Sequence, residues 1–205
     1  MPFNVNFGKK LTVDIRECPH LLIVGKGNNG AGFAQDIEDD LSSIGKTRYA
    51  RESFVCVSRC LNGIDKQYKE VIDERYEMLS ALNCDNIEQF NKRFRHESLM
   101  YEILLVSPTN AKQKNKWLKE VLMKGRSVGV HVIMFADSVK DLAKDADLLN
   151  MLPVKVVYKT KTAEESVLLT GDRGAEKLKA EEFMFVELGK KPMIFKMNYK
   201  KQKTC

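Results

Sequence analysis

The chain contains no run of about 18 apolar residues, so nothing in it reads as a membrane-spanning helix. Its N-terminus, Met1 to Asn6, lacks the basic-then-apolar layout of a secretory leader. Both absences lead to the expectation of a soluble, cytoplasmic chain. Histidine is scarce: His20, His96 and His131 stand far apart and offer no ligand spacing for zinc with the cysteines. Cysteine comes as an odd five, at positions 18, 56, 60, 84 and 205, which does not suit a disulfide framework. Buried, reduced thiols are the expectation, with Cys56 and Cys60 on a strand that runs into a loop. No linker, internal repeat or low-complexity stretch divides the sequence. No basic stripe with interleaved aromatics appears outside the C-terminal tail, so a nucleic-acid footprint is weak.

What remains suits one α/β domain over residues 1–205. Of the 205 residues, 43% are apolar and 30% charged, enough to bury one core and too apolar for disorder. The net charge is +6, and Lys190, Lys191, Lys196, Lys200, Lys201 and Lys203 crowd a basic tail, 190–205, expected to be a solvated end.

Five short apolar runs, rich in Val and Ile, read as strands buried on both faces of a parallel sheet: 21–24, 54–57, 103–106, 128–135 and 154–158. Helical spacing fills the intervals. Tyr68, Val71, Ile72, Tyr76, Leu79 and Leu82 form a stripe over 66–82, ended by Asn83-Cys84-Asp85. Trp117, Leu118, Val121 and Leu122 form another over 112–124, with Gly125 as its C-cap. Thr162 caps a helix over 162–169, with Glu165 completing a capping box. A short helix is expected at 36–41. Before them all, Val5–Phe7 and Leu11–Ile15 suit an antiparallel hairpin turning at Gly8-Lys9-Lys10. Strands alternating with helices imply a largely parallel sheet flanked by helices.

The richest stretch follows the first of these strands: Gly25-Lys26-Gly27-Asn28-Asn29-Gly30-Ala31-Gly32. A strand, a glycine turn and a helix make a phosphate site when backbone N–H groups and a helix N-terminus converge. Three readings stand open. Gly25, Gly27 and Gly30 satisfy G-x-G-x-x-G, a dinucleotide fingerprint, with Ser58-Arg59 at the second strand's end to meet a ribose 2′-phosphate. Gly25 and Gly30 also take the glycine positions of G-x-x-x-x-G-K-[ST], the ATP-binding loop, but Ala31 stands for its lysine and Gly32 for its hydroxyl. Or the glycines only turn the chain.

Beyond the loop, Pro19-His20-Leu21-Leu22-Ile23-Val24-Gly25 is similar to the P-H-L-L-V-A-G entry of the FtsK/SpoIIIE family of P-loop translocases. The run Glu74-Arg75-Tyr76-Glu77-Met78-Leu79, then Asn86-Ile87 and Phe90-Asn91, resembles that family's tyrosine helix and turn. Gly129-Val130-His131-Val132-Ile133-Met134 resembles its G-I-H-L-V-L strand, and Gly174-Ala175-Glu176-Lys177-Leu178 its G-A-E-x-L segment. The matches keep family order from about residue 10 to 198. The resemblance implies a RecA-like P-loop fold. It also marks where the chemistry departs. Ser107-Pro108 stands where the family's third strand ends in Asp-Glu, and Asp137-Ser138 where a polar sensor follows the G-x-H strand. Lysine, Mg²⁺ ligands and catalytic carboxylate are replaced together, which removes the stabilisation that drives phosphoryl transfer.

The expectation is therefore a pseudo-ATPase, with no tightly bound ATP or Mg²⁺. The family implies a docking or assembly module of a translocation machine at the cytoplasmic face of a membrane. Degenerate terminal domains of the EccC/EssC type VII secretion ATPases fit best. Its implied partners are sister ATPase domains and a secreted protein or its export signal. The alternative is an accessory to DNA translocation or conjugation. A remote third is an NADP-binding oxidoreductase.

Overall fold

The computed structural model describes residues 4–7, 11–25, 55–60, 66–106, 116–138, 142 and 146–196, leaving aside the side chains of 4, 55–60, 116 and 146. The Gly8–Lys10 turn, the expected helix at 36–41 and the tail from 197 lie outside the described residues.

A seven-stranded sheet organises the molecule. Strands β3 (His20–Val24), β4 (Val55–Cys60), β5 (Tyr101–Val106), β6 (Val130–Ala136) and β7 (Val154–Val157) lie parallel in the order β4-β5-β6-β3-β7. Two antiparallel strands then extend the β7 side, β8 (Glu182–Glu187) and β9 (Met193–Lys196). These two are additions to the expected sheet. Residues 193–196 of the basic tail form its edge rather than a solvated end.

Strands β3, β5 and β6 are largely apolar because both of their faces are covered. Alternation sends Leu22 and Val24 of β3 to one side, Leu21 and Ile23 to the other. On the first side lie helices α1 (Lys66–Ala81), α3 (Lys116–Lys124) and α5 (Ala163–Thr170), with Leu79, Val121 and Leu169 in one core with the strands. On the other side lies the expected hairpin, β1 (Asn4–Phe7) paired with β2 (Leu11–Asp14). Its Val5, Phe7 and Val13 are buried against Ile103, Ile133 and Phe183, while Asn6 and Thr12 face out. Each fully buried aliphatic or aromatic side chain contributes about 1.5–3 kcal/mol, so the hairpin's three are a substantial clamp.

Several boundaries differ from the sequence expectation for physical reasons. β4 continues through Ser58, Arg59 and Cys60, because all six residues find partners on β5. β5 likewise starts at Tyr101, two residues before the apolar run. Gly125 does not cap α3; it opens a 3₁₀ turn over Gly125–Val128, and Gly129, with φ 77°, takes the left-handed position. β6 consequently begins at Val130, not at residue 128. In α1 the buried stripe is Tyr68, Ile72, Arg75 and Leu79, a strict four-three-four spacing. Tyr76 falls off it and stays 37% exposed, its hydroxyl donating to the Lys124 carbonyl at 2.9 Å.

Helix ends follow the local chemistry. Asn83, at φ 50°, closes α1: its N–H donates to Ser80 O and that of Cys84 to Leu79 O, a Schellman pattern with asparagine in the left-handed seat. Thr162 caps α5 as expected, its hydroxyl accepting from Glu165 N at 3.2 Å, and Gly171 at φ 76° ends it. Among the described thiols Cys84 is buried, whereas Cys18 is only half-buried, and both are free.

Candidate functional site

The parallel strands place their carboxyl ends together, and there β3, β6 and β7 run out side by side. The N–H of Gly25 donates to Ala136 O at 3.0 Å, and that of Tyr158 to Val24 O at 2.9 Å, so the ladder reaches the first loop residue on either side. A narrow cleft of about 20 Å³, room for a single water-sized occupant, opens among Gly25, Asp137, Ser138, Lys159, Lys161 and Glu165.

Three of the sequence-derived site residues thus meet: Gly25, Asp137 and Ser138. Lys26, Gly27, Asn28, Asn29, Gly30, Ala31 and Gly32 lie outside the described residues, as do Ser107 and Pro108. Gly25 has a reason of its own to be glycine. Its φ is 141°, and a Cβ there would come within 2.5 Å of the Cβ of Tyr158. Close passage of the chain against β7 demands it, whatever the loop binds.

Lys159, Thr160 and Lys161 escaped the sequence reading, and Glu165 entered it only as a helix-capping residue. The signal was present: a Lys-Thr-Lys-Thr run directly after a strand and before a capped helix. Their loop is stitched by hydrogen bonds. Thr160 N donates to Ala175 O at 3.2 Å, and Thr160 Oγ1 to Thr162 O at 3.1 Å. Glu165 Oε2 accepts from Lys161 N at 2.9 Å. Ser166 Oγ, fully buried, donates to Asp172 O at 2.7 Å and accepts from Ala175 N at 3.0 Å. The Gly174–Leu178 segment is therefore a structural brace behind the cleft. In charge the described cleft cancels: two lysines, Lys159 and Lys161, against two carboxylates, Asp137 and Glu165. No group of three or more metal-ligating side chains occurs among the described residues.

The amino ends of the same strands differ. Arg75 reaches from α1 to the start of β5, donating from Nη2 to Glu102 Oε1 at 2.6 Å and from Nη1 to Val128 O at 2.8 Å. Burial pulls the Arg75 pKa down, and Glu102 opposes that pull. Asn91 clips the approach to β5, donating to Leu99 O at 3.0 Å and accepting from Leu99 N at 2.8 Å. Asn86 caps α2 (Ile87–Arg93), accepting from Gln89 N at 2.9 Å. His20 and His131 are both 2% exposed. His20 Nδ1 accepts from Val132 N at 3.1 Å, and His131 Nδ1 lies 3.0 Å from Pro19 O, which makes it the protonated nitrogen. Burial pushes the His20 pKa down to about 3, with the neighbouring His131 adding to it, and burial pushes His131 down to about 4.

Strand order excludes the dinucleotide reading. A Rossmann sheet pairs the glycine-loop strand with the strand that follows it. Here β5 and β6 separate β3 from β4, placing Arg59 roughly 14 Å across the sheet from the glycine turn at ordinary strand spacing. The Ser58-Arg59 contact to a ribose phosphate is thus overturned, and the oxidoreductase reading with it.

Comparison with solved structures agrees. The conjugation coupling protein TcpA of pCW3, in a structure with ATPγS, superposes with a TM-score of 0.70 at 16% identity, covering 97% of this chain and 65% of that one. The cytoplasmic domain of the type VII secretion ATPase EccC of Thermomonospora curvata gives 0.71 at 16% identity, covering 97% of this chain and 28% of that one. ATPases 2 and 3 of EssC from Geobacillus thermodenitrificans give 0.69 at 14%, covering 91% and 40%. The chain shares the fold of these coupling-protein and ATPase domains. The chain spans less than two thirds of each of these structures' lengths. No protein-family model matches the sequence, and no curated protein does. No helix among the described residues is long and apolar enough to cross a membrane.

Proposed function

We propose that this chain is a catalytically inactive P-loop module that serves as a docking or assembly domain of a translocation machine, with type VII protein secretion as its setting. One observation carries the reading: the groups that handle a triphosphate are replaced together, while the fold around them is kept. Ala31, Gly32, Ser107 and Pro108 stand at the lysine, hydroxyl and carboxylate positions. The described half of the cleft supports this, since its charges cancel. The partners follow from the setting: sister ATPase domains and a secreted protein or its export signal, met at the cytoplasmic face of the membrane through a larger protein or complex. A second reading, an accessory to DNA transfer, is favoured by the likeness to a conjugation coupling protein and by the net charge of +6.

Calorimetry with MgATP tests the inactive state. No heat of binding is expected up to millimolar nucleotide, and a micromolar dissociation constant overturns the reading. The Ala31→Lys/Gly32→Ser variant is expected to stay without turnover, because the carboxylates of the third parallel strand are still missing. Titration with secreted proteins encoded beside it decides the setting. Binding that tolerates moderate salt supports protein docking. Tight duplex binding that falls steeply with salt supports the DNA reading instead.

A further inference from the structure

The sheet ends at β9, a four-residue edge strand preceded by Pro192, yet the apolar side chains of Met193 and Ile194 stay exposed. Among the described residues β9 pairs only with β8, leaving its outer row of N–H and C=O groups open. Its apolar side chains continue both faces of the sheet. Ile194 stands opposite Met184 on the helix side and is 58% exposed; Met193 stands opposite Phe185 on the hairpin side and is 48% exposed. Leu188, in the β8–β9 turn, is 78% exposed. Their β8 partners Met184 and Phe185 are buried, so each face is complete up to β8 and lacks cover one strand further out.

Edge strands are commonly protected by a charge placed within the strand. β9 carries such a charge at its last residue, Lys196, and Lys191 stands two residues before its start. Both lysines are exposed and neither forms an ion pair among the described residues, although Lys196 stands opposite Glu182, whose Oε2 accepts from Lys179 N; Lys190 is already taken by Glu187 at 2.8 Å. We propose that β9 receives an extended segment of a partner protein as an eighth strand, the segment being acidic at its ends and aliphatic between. Main-chain hydrogen bonds would hold it, Met193 and Ile194 would supply apolar contact on the two faces, and Lys191 and Lys196 would select acidic neighbours. A second copy of this chain would bring its own lysines to the same edge and meet them with like charge. Nucleic acid would leave Met193 and Ile194 without an apolar partner. This inference rests on the docking reading and names the chemistry of what docks.

The probe is a short synthetic peptide with a run of valines between terminal glutamates, with an otherwise identical peptide carrying terminal lysines as control, titrated by fluorescence anisotropy into the full chain. The acidic peptide is expected to bind about ten-fold more tightly, the effect of two cross-strand ion pairs at the upper end of ordinary strength. Amide exchange at 193–196 should slow when it binds. Ile194→Lys should weaken binding about ten-fold, and Lys191→Glu/Lys196→Glu should reverse the preference, with unchanged circular dichroism in both. Equal affinity for the two peptides, no loss in Ile194→Lys, a dimer that Ile194→Lys dissolves, or displacement of the peptide by duplex DNA each overturns the proposal. The secreted-protein titration repeated on Ile194→Lys separates this inference from the docking reading. A substrate bound equally by both forms leaves docking standing and this edge wrong. A substrate bound by neither, with the acidic peptide bound as expected, keeps the edge and removes the secreted-protein assignment.

Discussion

The two ends of one sheet are built on different terms. At the amino ends, buried or half-buried polar groups are tied to specific partners, Arg75 to Glu102 and Val128, Asn91 to Leu99 and His20 Nδ1 to Val132, while the Nε2 atoms of His20 and His131 are buried without a hydrogen-bond partner. At the carboxyl ends, the cleft residues Asp137 and Ser138 stand exposed or half-exposed, and the charges there balance. The segments that most resemble translocases, the tyrosine helix and the G-x-H strand, lie at the amino ends and do structural work. Of the segments that differ from that pattern, Asp137-Ser138 is described, and it lies at the carboxyl ends beside Gly25. Retained motifs of this kind report the fold and leave the function to the residues that differ.

The largest effect expected from disturbing this contrast is at Arg75. Arg75→Ala leaves the half-buried Glu102 carboxylate without its cation and Val128 O without a donor. Breaking a buried pair from one side costs about 3–5 kcal/mol, and the partial exposure of both groups puts the expectation near the lower end. Urea denaturation measures it. A loss below about 1 kcal/mol would show that the amino ends are not the tighter half.

Acid provides the next largest effect. The native pKa values of His20 and His131, about 3 and about 4, lie below the ordinary value of 6.5. Between those limits the unfolded chain binds protons that the native chain refuses. The histidine contribution is therefore whole above pH 6.5 and is lost as pH falls towards 4. From pH 7.5 to 5.5 the two together amount to about 3 kcal/mol. Urea midpoints across that range should show the slope, and His20→Gln/His131→Gln should flatten it. A slope unchanged in the double variant would place the acid sensitivity elsewhere.

Much of this division could be read in the sequence, and what could not has physical causes. The parallel core was legible because double burial writes continuous Val/Ile runs, as at 103–106. The α5 cap was legible because Thr162 and Glu165 have only one common use at that spacing. Arg75 was missed because an apolar stripe, read by composition, passes over a guanidinium and settles on Tyr76 beside it. The start of β6 was misread because an αL glycine in an apolar run looks like a strand residue until its φ is known. β9 was hidden by its lysines, which made an edge strand look like a tail. At the cleft, Lys159 and Lys161 belong to no phosphate motif, and only the strand order brings them beside Gly25.

Gly25 gives the smallest effect and the sharpest separation of structure from chemistry. In the triphosphate reading this glycine exists so that the loop can wrap phosphate; in the structure it exists because Tyr158 leaves no room. Gly25→Ala puts a Cβ 2.5 Å from Tyr158 Cβ at a φ of 141°, which an L-residue rarely adopts. The neighbouring atom is itself a Cβ, held by the Tyr158 N–H bond to Val24 O, so relief requires the backbone of β7 to shift. Strain of this kind costs about 2 kcal/mol. Thermal unfolding with and without MgATP reads both possibilities at once. A packing glycine predicts the same loss in both conditions. A phosphate glycine predicts that wild type gains stability from nucleotide and that Gly25→Ala does not, because only the native state would carry the ligand. Nucleotide-dependent stabilisation of wild type would reverse the contrast between the two ends, making the carboxyl end a working site despite Ala31 and Gly32.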